Sequence, residues 1–138
     1  MQIQNYFDRG LNNTVLMKNG AQFSYAGPWV YLIGGTTTRL DRWFIGSFMS
    51  VEYSIVADYD PNNREFIKCI VVAGPSKADL TIFGKADLGQ SLVTLSATVN
   101  NSYVDINVTP SADDSTALTG TKVYFQATYF QSINPIRG

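Results

Sequence analysis

Apolar and polar residues alternate with a period of two over much of this chain. Val51, Tyr53, Ile55 and Ala57 are separated by Glu52 and Ser54. Val104, Ile106 and Val108 are separated by Tyr103, Asp105 and Asn107, and Val123, Phe125, Ala127 and Tyr129 by Tyr124, Gln126 and Thr128. Such alternation predicts strands with one buried face. A helix would repeat apolar residues at i, i+3, i+4 and i+7, and no window of about 11 residues does so. Two further runs, 66–72 and 92–99, are near-continuously apolar or β-branched and predict strands buried on both faces. A short run at 80–83 and three early ones at 14–18, 21–25 and 29–33 also have strand composition.

Turn formers separate these runs. Asp60-Pro61-Asn62-Asn63 is a strong turn, and Asn19-Gly20 suits a tight hairpin. Ala73-Gly74-Pro75-Ser76, Asp87-Leu88-Gly89-Gln90 and Asn100-Asn101 interrupt the rest, and 110–120 is the longest loop. About eight to ten strands must bury their apolar faces against one another, and two packed antiparallel sheets are the usual way. The predicted fold is all-β: an antiparallel β-sandwich, jelly-roll-like, with a small β-barrel as the alternative. No linker or repeat divides the chain, so residues 1–138 form one domain. Residues 1–14 and 131–138 cannot make a core alone and are candidate assembly arms.

Composition narrows the chemistry. The 138 residues are 45% hydrophobic and 15% charged, enough to bury a core and too apolar for disorder. A net charge of -1 gives no electrostatic basis for binding nucleic acid or an anionic membrane surface. One cysteine, Cys69, excludes an intrachain disulfide. The opening residues MQIQNYFDRGLNNTV have neither the cationic nor the apolar part of a secretory leader, so none is expected. There is no histidine, the side chain most used for proton transfer near neutral pH.

The order of features in residues 44–130 carries a resemblance. Phe48-Met49-Ser50-Val51-Glu52-Tyr53 opens it, an Asp-Pro-Asn turn follows, and then Glu65-Phe66-Ile67-Lys68-Cys69-Ile70-Val71-Val72. Leu80-Thr81-Ile82-Phe83-Gly84, the run 92–99, the segment Val104-Asp105-Ile106-Asn107-Val108-Thr109-Pro110 and a last strand at 122–130 complete it. This resembles β-sandwich structural proteins of marine cyanobacterial tailed phages. The match covers about two-thirds of the chain and is most specific at 104–110. It departs at one hairpin, where the family's His-Asp-Gly turn reads Ala73-Gly74-Pro75. The resemblance implies a non-enzymatic component of the virion, in a head decoration, neck, tail or fibre. Its partners would be other virion proteins and copies of itself, without nucleic acid, membrane or cofactor.

Candidate sites are few. Asp58, Asp60 and Asn62 have the alternate-oxygen spacing of a calcium loop, but Asn63 stands where its glycine belongs and Cys69 where its last glutamate does. A solvated hairpin turn is the commoner outcome. Asp113-Asp114 lies in a polar loop and is expected to be solvated. Glu52 and Glu65 are the only glutamates and would have to flank one bond to act as a glycosidase pair. No motif surrounds either, so no catalytic and no metal residue is assigned. Cys69, among Ile67, Ile70 and Val71, suits a buried small hydrophobe. Most of the aromatics should fill the core. An assembly interface, if aromatic, would draw on Tyr6, Phe7, Trp29, Trp43 and Phe44, with Ile136 from the last residues. A carbohydrate-binding sandwich is the alternative function, since exposed aromatics on sheets also stack on sugars.

Overall fold

Which side chains a strand buries follows from its phase, and here the phases sort ten strands into two sheets. The computed structural model describes residues 14–16, 22–27, 30–33, 36–111 and 120–131. In chain order the strands are β1 (Thr14–Leu16), β2 (Gln22–Ala26), β3 (Val30–Tyr31), β4 (Thr38–Phe44), β5 (Phe48–Asp60), β6 (Asn63–Ala73), β7 (Ala78–Leu88), β8 (Val93–Asn100), β9 (Tyr103–Pro110) and β10 (Lys122–Gln131). The larger sheet has the order β1–β2–β10–β5–β6–β7, with the short β3 pairing β10 beyond the end of β2. The smaller sheet is β4–β9–β8. Every pairing is antiparallel. The sandwich is therefore present, and the closed barrel is not formed.

The core lies between the sheets. The larger sheet contributes Val51, Tyr53, Ile55 and Ala57 from β5, Ile67, Cys69 and Val71 from β6, and Val123, Phe125, Ala127 and Tyr129 from β10. The smaller sheet answers with Leu40, Trp43, Val93, Val104, Ile106 and Val108. The alternation predicted for β5, β9 and β10 is the observed one. At the centre Tyr53 meets Phe125 at 5.6 Å, Phe48 meets Tyr129 at 5.2 Å, and Trp43 sets its edge to Phe48 at 6.5 Å. These are the tilted and edge-on arrangements that ring quadrupoles favour.

Two expectations are corrected. The runs 66–72 and 92–99 are not buried on both faces. In β6 only the phase of Ile67, Cys69 and Val71 is inside, and Phe66, Ile70 and Val72 remain 43%, 41% and 54% exposed. In β8, Thr94, Ser96 and Thr98 face out. The smaller sheet has three strands and cannot cover the whole inner face of a wider one, so β7 overhangs it. The second correction is β4, which alternation did not predict. A bulge between Arg39 and Asp41 inserts Leu40 as an extra residue opposite β9. Leu40 and Asp41 consequently both point inward, and the period of two is lost there.

The turns follow their residues. The β5–β6 hairpin closes with Asp60 Oδ1 accepting from the Asn62 N–H at 2.8 Å and from Asn63 Nδ2 at 2.9 Å. Asn101 and Ser102, both with positive φ (52° and 72°), form the two-residue β8–β9 turn. The β1–β2 pairing, with Leu16 opposite Phe23, agrees with the hairpin expected around Asn19-Gly20, which itself lies outside the described residues.

Candidate functional site

Most of the acidic side chains that might suggest chemistry hold the fold together. Glu65 points into the sandwich and is 2% exposed. Its Oε1 accepts from the backbone N–H groups of Leu92 (2.9 Å) and Val93 (3.1 Å). Its Oε2 accepts from Ser91 Oγ at 3.3 Å and pairs with Lys85 Nζ at 3.1 Å. It thus pins β6 to the segment that crosses from one sheet to the other. Glu52 belongs to the opposite phase of the larger sheet, opposite Ile70, whereas Glu65 lies opposite Ala57. The two glutamates lie on opposite faces of the sheet and cannot flank one bond.

Asp41 is a second acid buried between the sheets. Its Oδ2 accepts from Tyr53 Oη at 2.8 Å and Tyr129 Oη at 2.6 Å, and Tyr53 Oη accepts from Trp43 Nε1 at 3.0 Å. This cluster ties β4 of the smaller sheet to β5 and β10 of the larger. Burial, reinforced by the charge of Asp41, holds the Tyr53 phenol well above its ordinary range. Burial also pushes the Cys69 thiol up to about 11, and its buried position agrees with the sequence. The Asp58, Asp60 and Asn62 spacing resolves into a turn. Asp58 pairs with Arg64 at 3.0 Å, and hydrogen bonds from Asn63 and the Asn62 backbone hold the Asp60 carboxyl below its ordinary value. No metal-ligating cluster occurs among the described residues.

Two exposed surfaces remain. The first is the outer face of the smaller sheet, where the registers align side chains in ranks across β4, β9 and β8. Phe44, Tyr103 and Asn100 form one rank, Arg42, Asp105 and Thr98 the next, and Arg39, Asn107 and Ser96 the third. Thr37 Oγ1 and Thr109 Oγ1 are 2.8 Å apart, and Thr109 neighbours Thr94, which makes a fourth. Phe44 and Tyr103 are 45% and 40% exposed, with rings tilted at 5.6 Å. The Arg42 guanidinium lies 5.2 Å over the Tyr103 ring. It donates to both carboxylate oxygens of Asp105, at 2.6 and 3.0 Å, and that hydrogen bonding holds it more firmly protonated. Arg39 approaches the same carboxylate only to 4.0 Å.

The second surface is the outer face of the larger sheet. Tyr124, Val56, Phe66 and Ala86 are neighbours across β10, β5, β6 and β7 and make an apolar band. Ile70 and Val72 are exposed further along β6, separated from Phe66 by Lys68 and flanked by Glu52, Thr81 and Asp79. At its side β7 is an edge strand among the described residues and exposes Phe83 and Leu88; Ile82, opposite the buried Cys69, is exposed on the inner side that the smaller sheet does not reach.

Of the residues assigned to an assembly interface, Tyr6, Phe7, Trp29 and Ile136 lie outside the described residues, as do Asp113 and Asp114. Trp43 is 2% exposed and lodged against Phe48, so no partner can touch its ring. Phe44, one residue on, faces out, as the pleat requires. Sequence reasoning missed Arg39, Arg42 and Asp105 as a group. The polar phase of β9 signalled Asp105, but the bulge hid the strand that brings the arginines to it.

No family model matches the chain, and no curated protein sequence does. Solved structures do. The chain is similar to the tailspike gp49 of Acinetobacter baumannii bacteriophage Fri1, a capsular polysaccharide depolymerase, with a TM-score of 0.53 at 10% identity. That likeness covers 94% of this chain and 21% of the tailspike. Weaker likenesses join it to the tailspikes of Acinetobacter baumannii phage AM24 (TM-score 0.45, 9% identity, 80% of this chain and 27% of that one) and Acinetobacter phage vB_ApiP_P1 (0.40, 12%, 91% and 23%). The chain spans about a quarter of the length of the tailspikes it matches. At such identity what is shared is the fold.

Proposed function

We propose that this chain is a tail-associated component of a tailed-phage virion that works through surface contacts rather than catalysis. The observation that carries the proposal is the likeness of nearly its whole length to part of the Fri1 tailspike. The sequence resemblance of residues 44–130 to cyanobacterial phage sandwich proteins supports the same setting and extends it to other structural positions in the particle. The commitment of Glu65, Asp41, Asp105 and Asp58 to hydrogen bonds within the fold supports a non-enzymatic role. Assembly onto further copies of this chain is supported by the apolar band on the larger sheet. The sequence of β6 reads as buried on both faces, and the single chain covers one. Mass spectrometry of purified virions, with immunogold labelling, tests the proposal. The protein is expected in the particle at the tail, and its absence from virions overturns the proposal.

A second reading is favoured by the outer face of the smaller sheet. Two exposed rings beside ordered hydroxyl, amide and guanidinium groups suit a carbohydrate-binding surface, and the Fri1 tailspike acts on a capsular polysaccharide. A glycan array probed with the chain and with Tyr103→Ala decides it. Specific glycans should be retained by the former and lost by the latter, and no retention above background rejects the reading.

A further inference from the structure

The carbohydrate reading leaves the ligand's charge open, and the same face supplies an answer. Its polar groups are set before any ligand arrives. Asp105 holds Arg42 by two hydrogen bonds, Arg42 lies over Tyr103, and Tyr103 leans on Phe44. Asn107 Nδ2 reaches Thr98 Oγ1 at 3.3 Å. A platform held in this way loses little side-chain freedom when it binds.

Among the described residues charge is unbalanced across it. Two guanidinium groups, Arg39 and Arg42, share one carboxylate, Asp105. Arg42 occupies both carboxylate oxygens. Arg39 reaches that carboxylate only at 4.0 Å, and its side chain is 52% exposed. Its planar fork suits two parallel hydrogen bonds to a carboxylate. Tyr103 and Asn107, the residues opposite Phe44 and Arg39, are four positions apart on β9, so rings and free fork are separated by roughly 13 Å. Between them lies the rank of Arg42, Asp105 and Thr98, where the Thr98 hydroxyl and the Arg42 guanidinium carry polar hydrogens, and Asn107 beside Arg39 adds an amide.

We infer that this face binds an acidic polysaccharide. A sugar ring packs its C–H face on Tyr103 and Phe44, hydroxyls bond to Thr98 in the middle rank and to Asn107, and a uronate carboxylate further along seats on Arg39. This inference rests on the carbohydrate reading above and adds the charge of the ligand and the residue that selects it. A protein partner fits less well, because the centre of the face is the charged Arg42–Asp105 pair and the cores of protein interfaces are depleted of charge. A nucleic acid would need several phosphate-pairing cations in a row, and the described residues of this face offer one in excess.

Affinity electrophoresis of the full chain through gels holding polygalacturonate, hyaluronate or dextran tests this. The two acidic polymers should retard the protein and neutral dextran should do so at least about tenfold more weakly. Retardation by the acidic polymers should fade between about 50 and about 500 mM salt. Arg39→Gln should weaken acidic binding roughly tenfold and leave weak dextran binding unchanged. Tyr103→Ala should weaken both. Thr81→Ala on the opposite sheet should change neither, and melting temperatures confirm that the variants fold. Equal retardation by dextran, with Arg39→Gln indifferent, overturns the acidic assignment and leaves the carbohydrate reading standing. Retardation by none of the three overturns both. Acidic binding insensitive to Arg39→Gln and Tyr103→Ala overturns the assignment to this face.

Discussion

Glu65 is a buried carboxylate whose partners come almost entirely from the crossing that follows β7. Replacing it with alanine strands the N–H groups of Leu92 and Val93 and frees Lys85. A buried group left unpaired costs far more than an average hydrogen bond gains. Glu65→Ala should therefore lower unfolding stability by about 2–4 kcal/mol, read by urea denaturation, with Glu65→Gln milder because it can still accept both N–H groups. Tyr53→Phe should lower stability by about 1–3 kcal/mol, since Trp43 Nε1 loses its acceptor in a dry core. Cys69 gives a pH signature. Its thiol titrates at 9.0 ordinarily and at about 11 when buried. Above pH 9 the unfolded chain releases a proton that the folded chain keeps, so this contribution is whole below pH 9 and declines as pH rises toward about 11. Denaturation between pH 8 and pH 11 should show a shallower alkaline decline in Cys69→Ala. The Tyr53 phenol, also raised, prolongs the decline at higher pH.

At the scale of the element, legibility depended on whether a strand keeps its pleat. Strands β5, β9 and β10 alternate without interruption through their centres and were plain from sequence. In β4 one extra residue, Leu40, makes two successive side chains face inward, so no alternation survives to be read. The inward Asp41 looks like a surface acid until its tyrosine partners, 12 and 88 positions away, are known. The 66–72 run misled for a different reason: composition records that both faces want cover, not which chain provides it. The outer face of the smaller sheet was half legible for the same cause as β4, with Tyr103 and Asp105 on a clear strand and the arginines on a hidden one. Turns tolerate less. Gly89 has φ +88°, and a Cβ there would stand 2.6 Å from the carbonyl oxygen of Asn62 and against the Asn63 side chain. Gly89→Ala should cost about 2 kcal/mol, seen as a lower melting temperature, because the β7–β8 crossing must leave its left-handed geometry.

For the whole molecule, the mismatch between a broad sheet and a three-stranded one is the dominant fact. It leaves the inner side of β7 overhanging with Ile82 exposed, while of the two outer faces, which neither sheet covers, one carries the apolar band and the other is polar and ring-bearing. Contacts with further copies are expected at the band. The double change Phe66→Ser with Ile70→Thr should shift the chain toward monomer in light scattering while the melting temperature stays close to that of the parent. A parent that is already a strict monomer removes the band from the assembly proposal.

The place of β10 has a consequence for how the chain is made. It sits between β2 and β5, with Ala26 opposite Gln126, one hundred positions away. During translation the nine other described strands emerge before it. Until it arrives, β2 and β5 present open edges to whatever is nearby, and nascent chains on one messenger lie close together. Ribosome-bound fragments ending before residue 122 should thus be protease-sensitive and prone to cross-chain pairing, and the change to resistance should come late and at once. Such a chain calls on chaperones during synthesis rather than after it, and a pause in translation just before residue 122 would prolong the exposure of both edges.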